Sequence, residues 1–434
     1  MSDFSSASLH VTVLWRHADW GLYGRRHEAL ARELARRSCV KSVLHVEPVS
    51  APEALRIVRR WWRASGAIKA AYATQLRKLL TRTPVPVGNR TYVTSIVTVL
   101  NRSFPAYLGR INTRLIRWQM AAIRRFRDTL SGKTTCTLVY PPSLYLSQAM
   151  PLLDSDIVVA DLVDDVLARV ENPRLASMYR AVYRGVLDRT DHAFATSEAV
   201  QKRFASSNCQ IDVLPNGVVM PDASAAAPAA AVTQNDAPVV AYAGQLNQAL
   251  DPGLVKPVIR ACDDLTFRFY GPVTDSKGRR LATWLGERSN VELVGPVPHA
   301  DLQDALCRAD ILVNFKVPNH TTAGNDLLKI YEYLATGHPV VSPRVSPVDR
   351  FEDVIYIAET SDQFADQLRK ALREEPGEKA QKRVAYAHSN SWKSRVDEIL
   401  DTLLALSPTV PPDTSTRSRS SVDDSKSEKQ SQTE

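Results

Sequence analysis

The stretch Asn325-Asp-Leu-Leu-Lys-Ile-Tyr-Glu-Tyr-Leu-Ala-Thr-Gly-His-Pro-Val-Val-Ser-Pro343 reads as a loop, a helix, a sharp stop and a buried strand. Two charges, Lys329 and Glu332, stand inside it. Their spacing of three puts them on one side of the helix near its start, where unpaired N–H groups and the helix dipole favour an anion. A phosphate-bearing ligand fits there: Lys329 would neutralise a diphosphate, and Glu332, acceptor-only when ionised, would take both hydroxyls of a ribose. The alternative is an exposed helical ion pair, which stabilises little.

Outward from this stretch, short apolar runs alternate with helical periodicity. Leu9 to Trp15 is a β-rich run, Arg25 to Arg37 a helix with Ala29, Leu30, Leu34 and Ala35 on one side, and Val40 to Val46 a second strand. Thr137 to Tyr140, Ile157 to Ala160, His192 to Thr196 and Ile211 to Leu214 add strands, each leading into a polar or Pro-containing loop. That order predicts a parallel sheet covered by helices, with ligands at the loops after the strands. Val239 to Ala243, Leu265 to Tyr270, Val291 to Leu293, Ile311 to Phe315 and Val340 to Ser342 predict a second such sheet. The expected organisation is an N-terminal domain over 1–220, a linker at 221–238, a second domain over 239–385, a C-terminal helix at 386–406 with its amphipathic run from Trp392 to Leu406, and a polar, disordered tail at 407–434.

The 434 residues suffice for two domains with their own cores, and 44% hydrophobic content agrees with a globular chain. The formal charge of +8 is unevenly placed, because no acidic residue occurs between Glu53 and Asp128. Arg56, Arg59, Arg60, Trp61, Trp62 and Arg63, then Lys69, Arg77, Lys78 and Arg82, and later Arg110, Arg114, Arg117, Trp118, Arg124, Arg125 and Arg127 stand there, with Leu55, Ile57, Val58 and Ile68 between the charges. Such a pattern over 55–127 suits an anionic membrane surface, and a solvated basic face or a nucleic-acid surface is the alternative. Cys39, Cys136, Cys209, Cys262 and Cys307 lack paired spacing, so reduced thiols in a cytosol are expected, with no metal site. No apolar run is long enough to span a bilayer, so membrane contact is expected to be peripheral.

Two parallel-sheet domains with an acidic residue in a helix just before Gly-x-Pro-Val-Val resemble the GT-B nucleotide-sugar glycosyltransferases. Asp188-x-x-Asp191, Ala195-Thr-Ser-Glu198 and Val213-Leu-Pro-Asn-Gly-Val218 resemble the end of that family's first domain. Tyr242-Ala-Gly-Gln-Leu246, Phe269-Tyr-Gly-Pro272, Asn290-Val-Glu-Leu-Val-Gly-Pro-Val297 and Ala309-Asp-Ile-Leu-Val313 resemble its second. Order and spacing are most similar to the bacterial branch related to glycosyltransferase family 4, acting on envelope and extracellular polysaccharides, whose Asp-x-x-Asp-Asp run stands here as Asp161-Leu-Val-Asp-Asp165. The resemblance implies an α/β fold of two Rossmann-like domains facing a cleft. It also implies a nucleoside-diphosphate sugar donor, a lipid-linked or polysaccharide acceptor, and no cofactor or metal. Two positions depart from the pattern. Gly324 stands where the family has its first glutamate, and Gln245 replaces the arginine of its Gly-x-Arg-Leu turn.

Donor contacts are therefore expected from Gly244, Gln245, Gly271, Gly324, Asn325, Lys329 and Glu332, with Val297 on a ledge for the base. Catalysis needs charge stabilised on the leaving diphosphate, assigned to Lys329, and a base if the reaction inverts, assigned to Asp164 or Asp165. The alternative for those two carboxylates is a loop or helix-cap role. Asp19 and Trp20, after the first strand, and Asp161 are the acceptor-side candidates, and His17 lies in the same loop. Asp154-Ser-Asp156 precedes its strand, so a metal role is discounted. A nicotinamide dehydrogenase is excluded because no Gly-x-Gly-x-x-Gly follows Val13 or Ala241. A GT-B epimerase and a basic nucleic-acid binder are the competing readings, and neither would need both the Lys329 site and a basic, Trp-bearing region.

Overall fold

The computed structural model describes residues 8–22, 24–81, 83–98, 106–130, 134–220, 237–316, 325–375 and 377–407. Gly324, most of the expected linker and the tail after 407 lie outside the described residues. The first sheet has eight strands: β1 (Leu9–Leu14), β2 (Val40–Ser50), β3 (Val85–Gly88), β4 (Thr91–Thr98), β5 (Thr134–Val139), β6 (Ile157–Leu162), β7 (His192–Ala195) and β8 (Ile211–Val213). Their spatial order is β3-β4-β2-β1-β5-β6-β7-β8, parallel except for the β3–β4 hairpin. Its helices are α1 (Arg26–Leu34), α2 (Ala51–Arg63), α3 (Gly66–Leu80), α4 (Ala106–Asp128), α5 (Leu146–Ala149), α6 (Pro173–Leu187) and α7 (Glu198–Arg203).

The second sheet holds β9 (Val239–Ala243), β10 (Thr266–Tyr270), β11 (Val291–Gly295), β12 (Ile311–Val313), β13 (Val340–Ser342) and β14 (Ile355–Ile357). They run parallel in the order β11-β10-β9-β12-β13-β14. This is the doubly wound arrangement, which opens a crevice between β9 and β12 where the winding reverses. Around it pack α8 (Pro252–Ala261), α9 (Ser276–Gly286), α10 (His299–Cys307), α11 (Leu328–Thr336), α12 (Ser361–Ala371), α13 (Glu378–Ser389) and α14 (Trp392–Leu406).

Local chemistry explains the boundaries. Asn172 Oδ1 caps α6 by accepting Arg174 N–H and Leu175 N–H, and Asp251 caps α8 with Pro252 in its first turn. Gly337, at φ +77, ends α11 in the left-handed region that glycine enters without a Cβ clash. β1 is buried along its whole length, as a parallel strand covered on both faces should be.

Two parts differ from the sequence reading. The β3–β4 hairpin and β14 were not expected, and β2 runs on to Ser50 instead of stopping at Val46. The last helix belongs to the first domain's core although it ends the second domain's chain. Trp392, Val396, Ile399, Leu400 and Leu403 join the cluster formed by β1, α1 and β2. Val218 N–H donates to Asn390 O at 3.0 Å and Trp392 N–H to Val218 O at 3.1 Å, so the crossing is hydrogen-bonded on both sides.

Candidate active site

The site lies where the carboxyl ends of both sheets meet. In the second domain, β9 and β10 end in Gly244 and Gly271, at φ +146 and +137. A Cβ on Gly271 would stand 2.2 Å from Gly244 O, and one on Gly244 would stand 2.7 Å from Lys329 Nζ. The glycines thus let two strand ends and one amine share a space that side chains would fill.

Lys329 sits in the first turn of α11, whose N-cap Leu327 supplies no side-chain oxygen to the first N–H groups. Its Nζ lies 4.0 Å from the centre of the Tyr242 ring and is buried with no hydrogen-bond partner. Burial holds its pKa well below the usual lysine range, Lys316 lowers it further, and Glu332 acts in the opposite sense. An unpartnered buried amine costs several kcal/mol by usual magnitudes, and this one stands at a helix start beside two strand-end glycines. Glu332 is half-buried one turn on, close enough to act electrostatically on Lys329.

The two domains touch beside this amine. Asn325 Oδ1 accepts from Arg169 of the first domain at 2.5 Å. Asp326 Oδ2 accepts Asn216 N–H at 2.5 Å, while Asn216 Nδ2 donates to Asp326 O at 2.7 Å. Tyr331 and Arg350 hold the other carboxylate oxygen at 2.8 and 2.6 Å. Lys316, largely buried, has a lowered pKa from burial, opposed by the field of Asp164 across the cleft. Asp326, Arg169 and Lys316 were missed in the sequence, although Asp326 is part of its most informative stretch.

Asp164 and Asp165 part company. Asp164 is a non-glycine residue at φ +62, its side chain partly exposed and 3.4 Å from Arg169. Such a backbone is held by its surroundings and is found preferentially at functional sites. Asp165 is buried: Oδ1 accepts Ala168 N–H at 3.1 Å and Oδ2 pairs with Arg203 at 2.6 Å. Both of its oxygens are taken up within the first domain, the structural alternative to a base, which corrects its assignment as one. Asp161 is corrected likewise, because it is 2% exposed and pairs with the buried Arg26 at 2.7 Å. It is a counter-ion below the cleft floor, with no face for an acceptor.

Trp20 is 2% exposed, packed on His45 with ring centres 4.6 Å apart, so it makes no acceptor surface. Asp19 is also buried, accepting from Trp15 Nε1 at 2.7 Å and pairing with Arg25 at 2.9 Å. Two members of that loop are exposed, His17 and Gly21. The loop is fixed from beneath. Glu47, fully buried and paired with Lys78, accepts Asp19 N–H at 3.2 Å and Trp20 N–H at 2.8 Å. Gln75 donates to Trp20 O at 2.9 Å.

Gln245 is exposed at the mouth of the crevice, its Oε1 accepting from Asn247 at 3.2 Å. Val297 is half-buried against the core beneath α11. The carboxylates of Asp154 and Asp156 are occupied at the opposite end of β6, by Arg124 at 2.8 Å and by Thr135 N–H at 2.8 Å.

Comparison with solved structures gives the same architecture over nearly the whole chain. Anabaena HepE in complex with UDP and glucose is 14% identical, covers 91% of this chain and 99% of its own, and has a TM-score of 0.59. An α,α-trehalose-phosphate synthase (UDP-forming) from Burkholderia vietnamiensis is 12% identical over 92% and 100%, with a TM-score of 0.58. OtsA in its apo form is 10% identical over 93% and 100%, with a TM-score of 0.61. No curated protein sequence matches significantly. Fold and cleft thus define the GT-B class of two Rossmann-like domains. Within it, residues 252–401 match the family described as Glycosyl transferase-like.

Proposed function

We propose that the protein moves a sugar from a nucleoside diphosphate onto a hydroxyl of a lipid-linked or polysaccharide acceptor in envelope or exopolysaccharide synthesis, working peripherally at the inner face of a membrane. The observation that carries the donor half is Lys329: a buried amine with no partner, aimed at the glycine ends of β9 and β10. UDP, present in the HepE complex, is the favoured nucleotide. Its diphosphate would meet Lys329 and the first N–H groups of α11, and its ribose hydroxyls would meet Glu332. The bond from the sugar C1 to the diphosphate oxygen breaks, leaving both electrons on that oxygen, where Lys329 and the helix dipole stabilise them. A bond forms from the acceptor oxygen to C1, and the acceptor proton passes to a base. Asp164 is the carboxylate at the cleft for that step, in the field of Lys316.

Incubation with a panel of nucleotide sugars, following release of free nucleotide diphosphate, tests the reading. Slow hydrolysis of one donor, competed by UDP, is expected. Failure of every nucleotide diphosphate to bind in calorimetry refutes it.

A further inference from the structure

More than half of the large apolar side chains most exposed among the described residues fall between Leu55 and Trp118. That interval holds thirteen Arg and Lys and no Asp or Glu. They are ordered, not scattered. On α2, Leu55, Val58 and Trp62 are 73%, 39% and 72% exposed at helical spacing, flanked by Arg56, Arg59, Arg60 and Arg63. On α4, Ile111 and Trp118 are 52% and 61% exposed, seven residues apart, flanked by Arg110, Arg114 and Arg117. Of the α2 side chains only Ile57 is buried, so this helix presents an apolar stripe that no other part of the chain covers among the described residues.

Both stripes rise at the cleft end of the first domain. β2 ends at Ser50, paired with Thr98 of β4, and α2 starts at the next residue. Gln119 of α4 exchanges hydrogen bonds with Val97, at 2.8 and 2.9 Å, which places the helix before it beyond the strand ends. α2 packs on α3, and α3 holds the acceptor-side loop directly through Gln75 and through Lys78 on Glu47. One helix therefore separates the stripe from the loop that carries His17, a distance on the order of 10 to 20 Å.

We infer that the acceptor is a membrane-anchored lipid, its apolar part held in an anionic bilayer on which α2 and the free half of α4 lie, its hydroxyl reaching the loop at His17. This rests on the transferase reading and selects one of its two acceptor classes. Charge and pattern together pick the occupant. Anionic head groups meet the arginines while Leu55, Val58, Trp62, Ile111 and Trp118 enter the interface. A phosphate backbone would use the arginines and leave the stripes exposed. A second copy would bring like charges together.

The test uses the full chain and a Leu55→Glu/Trp62→Glu variant, with vesicles of phosphatidylglycerol in phosphatidylcholine and of phosphatidylcholine alone. Sedimentation with the anionic vesicles is expected, weakened about tenfold or more in the variant, with UDP binding equal in both proteins. Given the donor that the panel selects, radiolabelled in its sugar, and vesicles of a bacterial total lipid extract, label should enter the organic phase with the parent chain and much less with the variant. Equal sedimentation with neutral vesicles, competition by duplex DNA, or label confined to water-soluble polysaccharide would overturn the proposal. Vesicle binding without UDP binding would refute the transferase reading instead, and this inference with it.

Discussion

In the proposed donor site, Lys329 concentrates the chemistry in one atom. Its folded pKa is lowered, so across the window between that value and the ordinary lysine value of about 10.4 the folded state binds fewer protons than the unfolded one. Stability therefore rises with pH through that window, and the amine's penalty is complete below it. A diphosphate reverses the balance by supplying the missing counter-charge, so donor binding should take up a proton. Calorimetry of UDP binding in two buffers of different ionisation enthalpy measures this uptake. Lys329→Met should abolish the uptake, raise the melting temperature of the unliganded protein, and lower turnover by roughly a hundred- to a thousandfold. Identical uptake in the variant would remove Lys329 from the diphosphate site. The neighbouring carboxylates allow a paired test. Asn keeps the left-handed backbone that Asp164 adopts, so Asp164→Asn alters charge without strain and should cut turnover by about a hundredfold or more. Asp165→Asn keeps the acceptor for Ala168 N–H but removes the ion pair with Arg203, and should cost about 1 kcal/mol of stability with turnover within a few-fold. Reversed outcomes would exchange their roles.

At the level of elements, the strand ends matter more than the strands. Gly271→Ala places a methyl group against Gly244 O, an atom of backbone that cannot swing away, at a φ that alanine resists. About 1 to 3 kcal/mol of destabilisation and at least a tenfold loss in UDP affinity are expected, read by urea unfolding and calorimetry. Gly185→Ala in the last turn of α6 is the control, since a Cβ there meets nothing within 4 Å. It should leave UDP affinity unchanged and add up to about 1 kcal/mol. Comparable losses in both would show that the β9–β10 contact is not special. These elements also show what a sequence can disclose. β9, β13 and α14 were placed to the residue because an apolar run between turn residues has one good use in a doubly wound sheet. The β3–β4 hairpin was not, since it sits in the basic region and leaves its faces half exposed. Lys329 stood out as a charge in an apolar helix. Asp161 and Asp165 were misassigned because a carboxylate after a strand looks the same whether it meets a ligand or an arginine, and the decisive Arg26 is 135 residues from Asp161. Asp326, Arg169 and Lys316 were hidden because each acts toward the opposite domain.

For the molecule as a whole, α14 ties the second domain's chain to the first domain's core. α14 follows the second domain in sequence, yet it buries its apolar face on α1 and β1 of the first, with Arg37 pairing to Asp397 at 2.9 Å. Trp392 is the anchor: 4% exposed, it lies under Gly217, where a Cβ would come within 2.9 Å of the ring, and 5.9 Å below the Arg26 guanidinium. Trp392→Ala should cost about 3 to 5 kcal/mol, as for other buried aromatic truncations. The loss should fall on the first domain, because the cavity opens there. Hydrogen exchange should then show β1, α1 and α14 losing protection while β9, α8 and the strands beside them keep it, and UDP should still bind, since Lys329 and both strand-end glycines lie in the second domain. Turnover should fall further than UDP affinity, because the acceptor-side loop stands on the weakened core and the Arg26–Asp161 pair beneath it is stacked on the same indole. Uniform loss of protection through both sheets would mean that α14 binds the lobes into one cooperative unit, and that the donor site has no stability of its own.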